Sequence, residues 1–156
     1  MGDKMNSLVL DTINFLSKTF PKIYSKFYLD DLKKYAPMYN INKTQLRALI
    51  FIKNNGQITM TDLCSMLNIE KGSLTSMVDD LSNKGLVVRQ KDLFDKRKFF
   101  INITEEGDKI ASEFIEKLSI ELEEKFSRLS EEDRNKYIEA INNLRYILSK
   151  DELNEK

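Results

Sequence analysis

The chain has 156 residues, a length that suits one compact domain better than two independent ones. Hydrophobic residues make up 41% and charged residues 32%, the balance of a soluble globular protein, and no apolar run approaches the ~18 residues that cross a bilayer, so no membrane anchor is expected. Lys and Arg number 25 against 25 Asp and Glu, with no histidine, which removes the commonest metal ligand and the commonest catalytic base together.

The polar start, residues 1–6, lacks the basic and apolar pattern of a secretory signal, and the single Cys64 has no partner for an internal disulfide. Both features point to the cytoplasm. Residues 8–35 are amphipathic, with Phe20, Tyr24, Phe27 and Leu32 as apolar points. Pro21 removes a hydrogen bond there and predicts either a kink or a fresh helix start. Three short helical patterns follow. Residues 44–53 place Leu46, Leu49, Ile50 and Lys53 at helical spacing before the stop Asn54-Asn55-Gly56. Residues 61–67 carry Leu63 and Leu67 one turn apart, with Thr61 in position to cap. Residues 71–84 put Leu74, Met77, Val78 and Leu81 on one face and end at Gly85, a C-terminal stop.

Residues 85–104 change character. Leu86-Val87-Val88 and Phe99-Phe100-Ile101-Asn102-Ile103 are β-rich segments joined by a polar loop, which predicts a hairpin with Phe99, Ile101 and Ile103 facing inward. Thr104 can then cap a long helix with Ile110, Phe114, Leu118, Leu122, Phe126 and Leu129 recurring about every fourth residue. Ser130, three residues before Asp133, starts a last helix with Tyr137, Ile138, Ile141, Leu144, Ile147 and Leu148 as its apolar positions. The predicted fold is mainly α with a small β-hairpin wing. It is a winged helix-turn-helix flanked by N- and C-terminal dimerisation helices.

Zero net charge hides an uneven distribution: residues 1–104 carry 16 basic and 10 acidic side chains, and residues 105–156 carry 9 and 15. Within residues 84–98, Lys84, Arg89, Lys91, Lys96, Arg97 and Lys98 face only Asp92 and Asp95. A basic hairpin beside a helix of small polar residues fits double-stranded DNA. The helix enters the major groove, where Lys71, Ser73, Thr75 and Ser76 reach base edges and phosphates, and the wing reaches the neighbouring backbone or minor groove.

The stretch Gly72-Ser73-Leu74-Thr75-Ser76-Met77-Val78-Asp79-Asp80-Leu81, the exit Lys84-Gly85-Leu86-Val87, the wing tip Asp95-Lys96-Arg97 and the return Ile101-Asn102-Ile103-Thr104-Glu105-Glu106-Gly107 resemble the MarR (multiple antibiotic resistance regulator) family of bacterial transcriptional regulators. The resemblance implies a homodimer held by the first and last helices, acting on a palindromic operator, usually as a repressor. It also implies release by a small aromatic or phenolic effector, or by an oxidant. By carry-over, Arg97 enters the minor groove between Lys96 and Lys98, Asp95 braces the wing arginine, and Ser73, Thr75 and Ser76 lie along the major groove. Ser76 and Asp80 depart from the pattern, standing where members often place arginine, and Asp80 would repel any phosphate it faced. The layout implied is a single MarR-type domain over residues 1–156, with the winged helix at about 41–104 and helical dimerisation regions at about 5–36 and 105–149.

Other readings are open in the residues. Cys64 suggests a redox switch, but it sits beside Leu63 on an apolar side and fits a packed small residue better. No metal and no cofactor is expected: one cysteine and scattered carboxylates give no ligand spacing. An enzyme lacks parts, because no phosphate loop appears and the adjacent pairs Asp30-Asp31 and Asp79-Asp80 diverge by about 100° on a helix. A winged helix that binds protein rather than DNA is favoured by net neutrality and opposed by the basic wing. Tyr24 and Phe27, with Tyr28, Tyr35 and Tyr39, either line an effector pocket or pack in the core or dimer interface.

Overall fold

The chain enters through α1, residues 2–35, which stays helical throughout but widens to π geometry twice. In this computed structural model, which describes residues 2–92 and 98–150, α-helical Gly2–Asn14, Phe20–Tyr24 and Asp30–Tyr35 alternate with π-helical Phe15–Thr19 and Ser25–Leu29. Pro21 accounts for the first wide turn. Its ring crowds the carbonyl four residues back and it has no N–H to donate. Widening the preceding turn, with the Phe20 N–H bonded to the Phe15 carbonyl, keeps the chain helical. Pro21 stands at the second position of the α-helical segment Phe20–Tyr24, near its start, in line with one of the two outcomes expected there.

A 3₁₀ turn, Ala36–Tyr39, and Asn40 at φ 54° swing the chain into α2, Lys43–Asn55. Its start is a capping box: Asn42 Oδ1 accepts from the N–H groups of Thr44 and Gln45 at 2.9 and 3.0 Å, while Gln45 Oε1 accepts from the Asn42 N–H at 2.9 Å. After β1, Gln57–Thr59, comes α3, Met60–Leu67. Its cap is Thr59, whose hydroxyl accepts from the Asp62 N–H at 3.1 Å, and not Thr61, which lies inside the first turn and is exposed. α4, Lys71–Asn83, ends before Gly85, whose φ of +71° a side chain would strain.

β2, Val87–Lys91, and β3, Phe99–Ile103, form the expected hairpin, but β1 joins them in a three-stranded antiparallel sheet of order β1-β3-β2. Ile58 pairs with Ile101 and places a third apolar side chain beneath the hairpin base. The inward face is shorter than predicted. Ile101 is fully buried and Ile103 partly so, whereas Phe99 is exposed. Phe99 pairs with Lys91 at the outer end of the ladder, where the Lys91 ammonium lies 5.8 Å from its ring.

α5, Glu105–Ser127, and α6, Glu131–Leu148, complete the chain. Both predicted caps form. Thr104 Oγ1 accepts from the Gly107 N–H and Ser130 Oγ from the Asp133 N–H, each at 3.1 Å. Leu129 lies in the turn between the helices, not on the α5 stripe. No helix among the described residues is long and apolar enough to cross a membrane.

Residues 1–118 and 119–156 are separate compact units. The core lies in the first. Leu46, Leu49 and Ile52 of α2 sit at its centre, against Leu63 and Leu67 of α3, Leu74, Val78 and Leu81 of α4, and Ile101 of the sheet. Phe114 of α5, fully buried, takes Tyr28 and Tyr35 edge-on with ring centroids 6.2 Å away. In the second unit Phe126 packs on Tyr137 at 4.8 Å. No residue of α6 is buried, and its apolar positions Tyr137, Ile138, Ile141, Leu144, Ile147 and Leu148 are all exposed.

The return from the wing is fastened at one point. The Thr104 N–H donates to the Leu86 carbonyl at 3.1 Å and its hydroxyl to the Gly85 carbonyl at 2.8 Å. Gly107 sits so close that an added Cβ would lie 2.1 Å from that same Leu86 oxygen and 2.9 Å from Ile103 Cγ1. Backbone cannot step aside as a flexible side chain can. Gly107→Ala should therefore destabilise the fold by about 1–3 kcal/mol or more, read as a lower denaturation midpoint with unchanged slope.

Candidate nucleic-acid interface

Burial of Leu74, Val78 and Leu81 fixes which way α4 faces. Lys71, Ser73, Thr75, Ser76 and Asp79 are left on exposed positions, spread round the part of the helix that the core does not cover. The Thr75 hydroxyl donates to the Lys71 carbonyl at 3.0 Å and the Ser76 hydroxyl to the Gly72 carbonyl at 3.3 Å. With each proton turned back onto the helix, what these groups offer outward is an oxygen acceptor.

In the wing, Lys98 is exposed at the entry to β3, and its carbonyl accepts from the Asp92 N–H at 3.0 Å, closing the ladder. Asp95, Lys96 and Arg97 lie outside the described residues.

Five residues outside the expected set organise this surface. Asp80, read from sequence as a charge that would repel phosphate, is turned sideways. Its Oδ2 accepts from Gln45 Nε2 at 2.5 Å and from Lys84 Nζ at 2.7 Å. Gln45, almost fully buried, thus caps α2 with its oxygen and holds α4 with its nitrogen. Asp79, one position earlier and about 100° round the helix, meets Arg89 of β2. The guanidinium NH1 lies 2.8 Å from Asp79 Oδ1, and NH2 donates to the Thr75 carbonyl at 3.4 Å. Two basic residues of the 84–98 run are therefore engaged within the protein. The signal for this was present in sequence, since adjacent acids on a helix must point to different partners; Lys84 lies one turn on from Asp80, whereas Gln45 and Arg89 come from other elements.

The remaining expected positions are placed as follows. Tyr24 is partly buried on α1, stacked on Phe20 at 5.9 Å and tilted against Tyr28 at 5.5 Å; Phe27 is partly buried in the second π turn. Burial pushes the Tyr28 phenol up to about 12, and burial together with donation to Glu113 at 3.1 Å does the same for Tyr39. Cys64 packs partly buried against the core, its Sγ donating to the Ile69 carbonyl at 2.8 Å. Among the described residues no group of three or more His, Cys, Asp or Glu is arranged to hold a metal.

A three-stranded wing, a helix buried on one side and polar on the other, and long helices before and after define a winged helix-turn-helix regulator. Residues 39–98 match the MarR family. The HTH-type transcriptional regulator SarZ of Staphylococcus aureus is 30% identical over 145 residues, covering 93% of this chain and 92% of SarZ. The structure of a MarR family protein from Bacillus stearothermophilus is similar with a TM-score of 0.76 at 24% identity, over 90% of this chain and 97% of that one. NadR in complex with 4-hydroxyphenylacetate is similar with a TM-score of 0.63 at 26% identity, over 83% and 88% of the two chains. The chain belongs to the MarR family of transcriptional regulators, with the winged helix as its DNA-binding fold.

Lys84, and after it Gln45, hold the Asp80 carboxyl below its ordinary value of 3.8. The ionised form is the one favoured in the fold, so its contribution to stability is complete above that value and is lost as pH falls through the lower folded value. Asp80→Asn keeps an oxygen for Gln45 but cannot titrate. Denaturation midpoints followed from about pH 6 to about pH 2 should fall less steeply at the acid end for Asp80→Asn than for the wild type.

Proposed function

We propose that this regulator is a repressor that binds a palindromic operator as a homodimer and is released by a small aromatic or phenolic acid. The observation that carries the dimer is the surface of the terminal helices. Met5, Leu8, Leu10, Ile13 and Leu16 of α1 are more than half exposed, as are Ile138 and Leu148 of α6. Apolar stripes of this extent gain ~25 cal/mol per Å² when removed from water, and a second copy is the surface that matches them. Residues 1–156 then act as one protomer, with about 5–36 and 105–149 joining two winged helices and about 41–104 reading DNA. Two copies of α4 would meet successive major grooves ~34 Å apart. Light scattering at micromolar concentration should give twice the 18.3 kDa chain mass; a monomer there overturns the assembly.

On DNA, Lys71, Ser73, Thr75 and Ser76 take the major groove, and Lys96, Arg97 and Lys98 take backbone and minor groove, with Asp95 steadying the wing arginine. With Lys84 and Arg89 paired internally, residues 96–98 are given most of the phosphate attraction in this reading. Tyr24 and Phe27 line the effector site in this reading, and the NadR complex with 4-hydroxyphenylacetate supports a phenolic acid as its class.

One set of titrations tests the whole scheme, using duplex retained from a random pool, at several salt concentrations. Arg97→Ala should cost about 1–3 kcal/mol per subunit and lower the salt slope by about one unit, with the melting temperature unchanged. Thr75→Ala should relax discrimination between sequences and leave the salt slope nearly as it was. Adding 4-hydroxyphenylacetate should weaken binding, and DNA should weaken ligand binding by the same factor. Wild-type affinity in Arg97→Ala at every salt concentration removes the wing as anchor.

A further inference from the structure

A carboxylate on the face of a helix that enters DNA is costly unless something compensates it, because phosphates flank the groove on both sides. Asp79 is such a group. Its side chain is 54% exposed even while paired, on the face that also carries Thr75 and Ser76. Arg89 supplies the compensation from outside the helix. NH1 takes Asp79 Oδ1 at 2.8 Å while NH2 goes to the Thr75 carbonyl at 3.4 Å, so the two prongs that can meet one carboxylate are divided between two groups. The guanidinium is thereby tied to two points of α4. Thr75, Arg89, Met60 and Phe99 line one crevice of about 170 Å³ beside the pair.

We propose that Asp79 and Arg89 form one reading unit, in which Arg89 neutralises and orients Asp79 so that its carboxylate accepts a hydrogen bond from the exocyclic amino group of a cytosine in the major groove. The inference rests on the reading of α4 as the helix that enters the groove. The chemistry selects the base. An ionised carboxylate only accepts, and the major-groove edges that donate are cytosine N4 and adenine N6. At adenine the donor stands beside the N7 acceptor, which repels a carboxylate, whereas at cytosine it stands beside a C–H. Asp79 is then the specificity-determining residue, and Arg89 is a positioning residue that touches no base.

The test uses the full chain as wild type, Asp79→Ala, Asp79→Asn, Arg89→Ala and the double variant Asp79→Ala/Arg89→Ala, with melting curves to confirm folding. Each selects duplex from a random pool, and is then titrated against the wild-type site and against that site with the selected cytosine replaced. The wild type should enrich cytosine at one position of each half-site, with a roughly ten-fold loss of affinity on replacement. Asp79→Ala should enrich no base there, and Asp79→Asn should turn the preference to adenine, whose N6 and N7 match a carboxamide. Arg89→Ala should remove most of the ten-fold preference alone and change nothing further in the Asp79→Ala background. Three results overturn the proposal. If Asp79→Ala enriches the same base as wild type at every position, the pair is only a surface brace. If Arg89→Ala erases a preference elsewhere and keeps the cytosine, Arg89 reads a base of its own. If the wild type enriches no sequence at all, the reading of α4 falls with it.

Discussion

The close approach of Gly107 to the Leu86 carbonyl is the constraint on which the arrangement of this protein turns. Thr104 bonds the carbonyls of Gly85 and Leu86 and at the same time caps α5 through the Gly107 N–H. Four segments converge there: the exit of α4, the start of β2, the end of β3 and the first turn of α5. Lys53 of α2 adds a fifth, with Nζ 2.5 Å from Asp108 Oδ1. Movement of α5 at this point is therefore movement of the wing base and the end of α4. A regulator that couples helices at one end of the chain to a reading head in the middle needs a junction of this kind, where backbone touches backbone and no side chain can absorb the displacement.

A net charge of zero argues, taken alone, against a polyanion partner. The side-chain pairings dissolve it. Asp80 is neutralised by Lys84 and anchored by Gln45, and Asp79 by Arg89, so both acids of the reading helix are matched within the protein. A tally of charges over the chain weighs these equally with Lys71 or Lys98, although the paired groups project little field beyond their partners and the exposed lysines project theirs into solvent. Formal charge describes the solubility of such a protein better than its binding face.

Much of the architecture was legible in the sequence because it is written locally. Leu74, Val78 and Leu81 recur at helical spacing, Ser130 and Thr104 precede their helices as caps, and Gly85 marks a left-handed turn; each signal lies within a few residues of its effect. What escaped was set by distant parts of the chain. β1 is three residues long with a single buried side chain, too short to show alternation, and it exists because β3 offers an edge. Phe99 has the right parity to face inward, but the core ends before reaching it. The candidate interface divides the same way. The outward position of Ser73, Thr75 and Ser76 follows from periodicity alone, whereas the sideways turn of Asp80 and the reach of Arg89 depend on Gln45 and Asp79 arriving from other elements.

The two π turns of α1 bear on how this helix tolerates changes in length. A π turn holds one residue more than an α turn, and one residue on a helix is about 100° of rotation. Shortening Phe15–Thr19 by one residue lets that turn relax to α geometry while Phe20, Tyr24 and Tyr28 keep their present facing. The same deletion within Gly2–Asn14 rotates every residue before it out of phase with the rest of the helix. The wide turns therefore act as expansion joints: places where α1 can lose a residue over evolutionary time without rewriting the stripe that its aromatic side chains form.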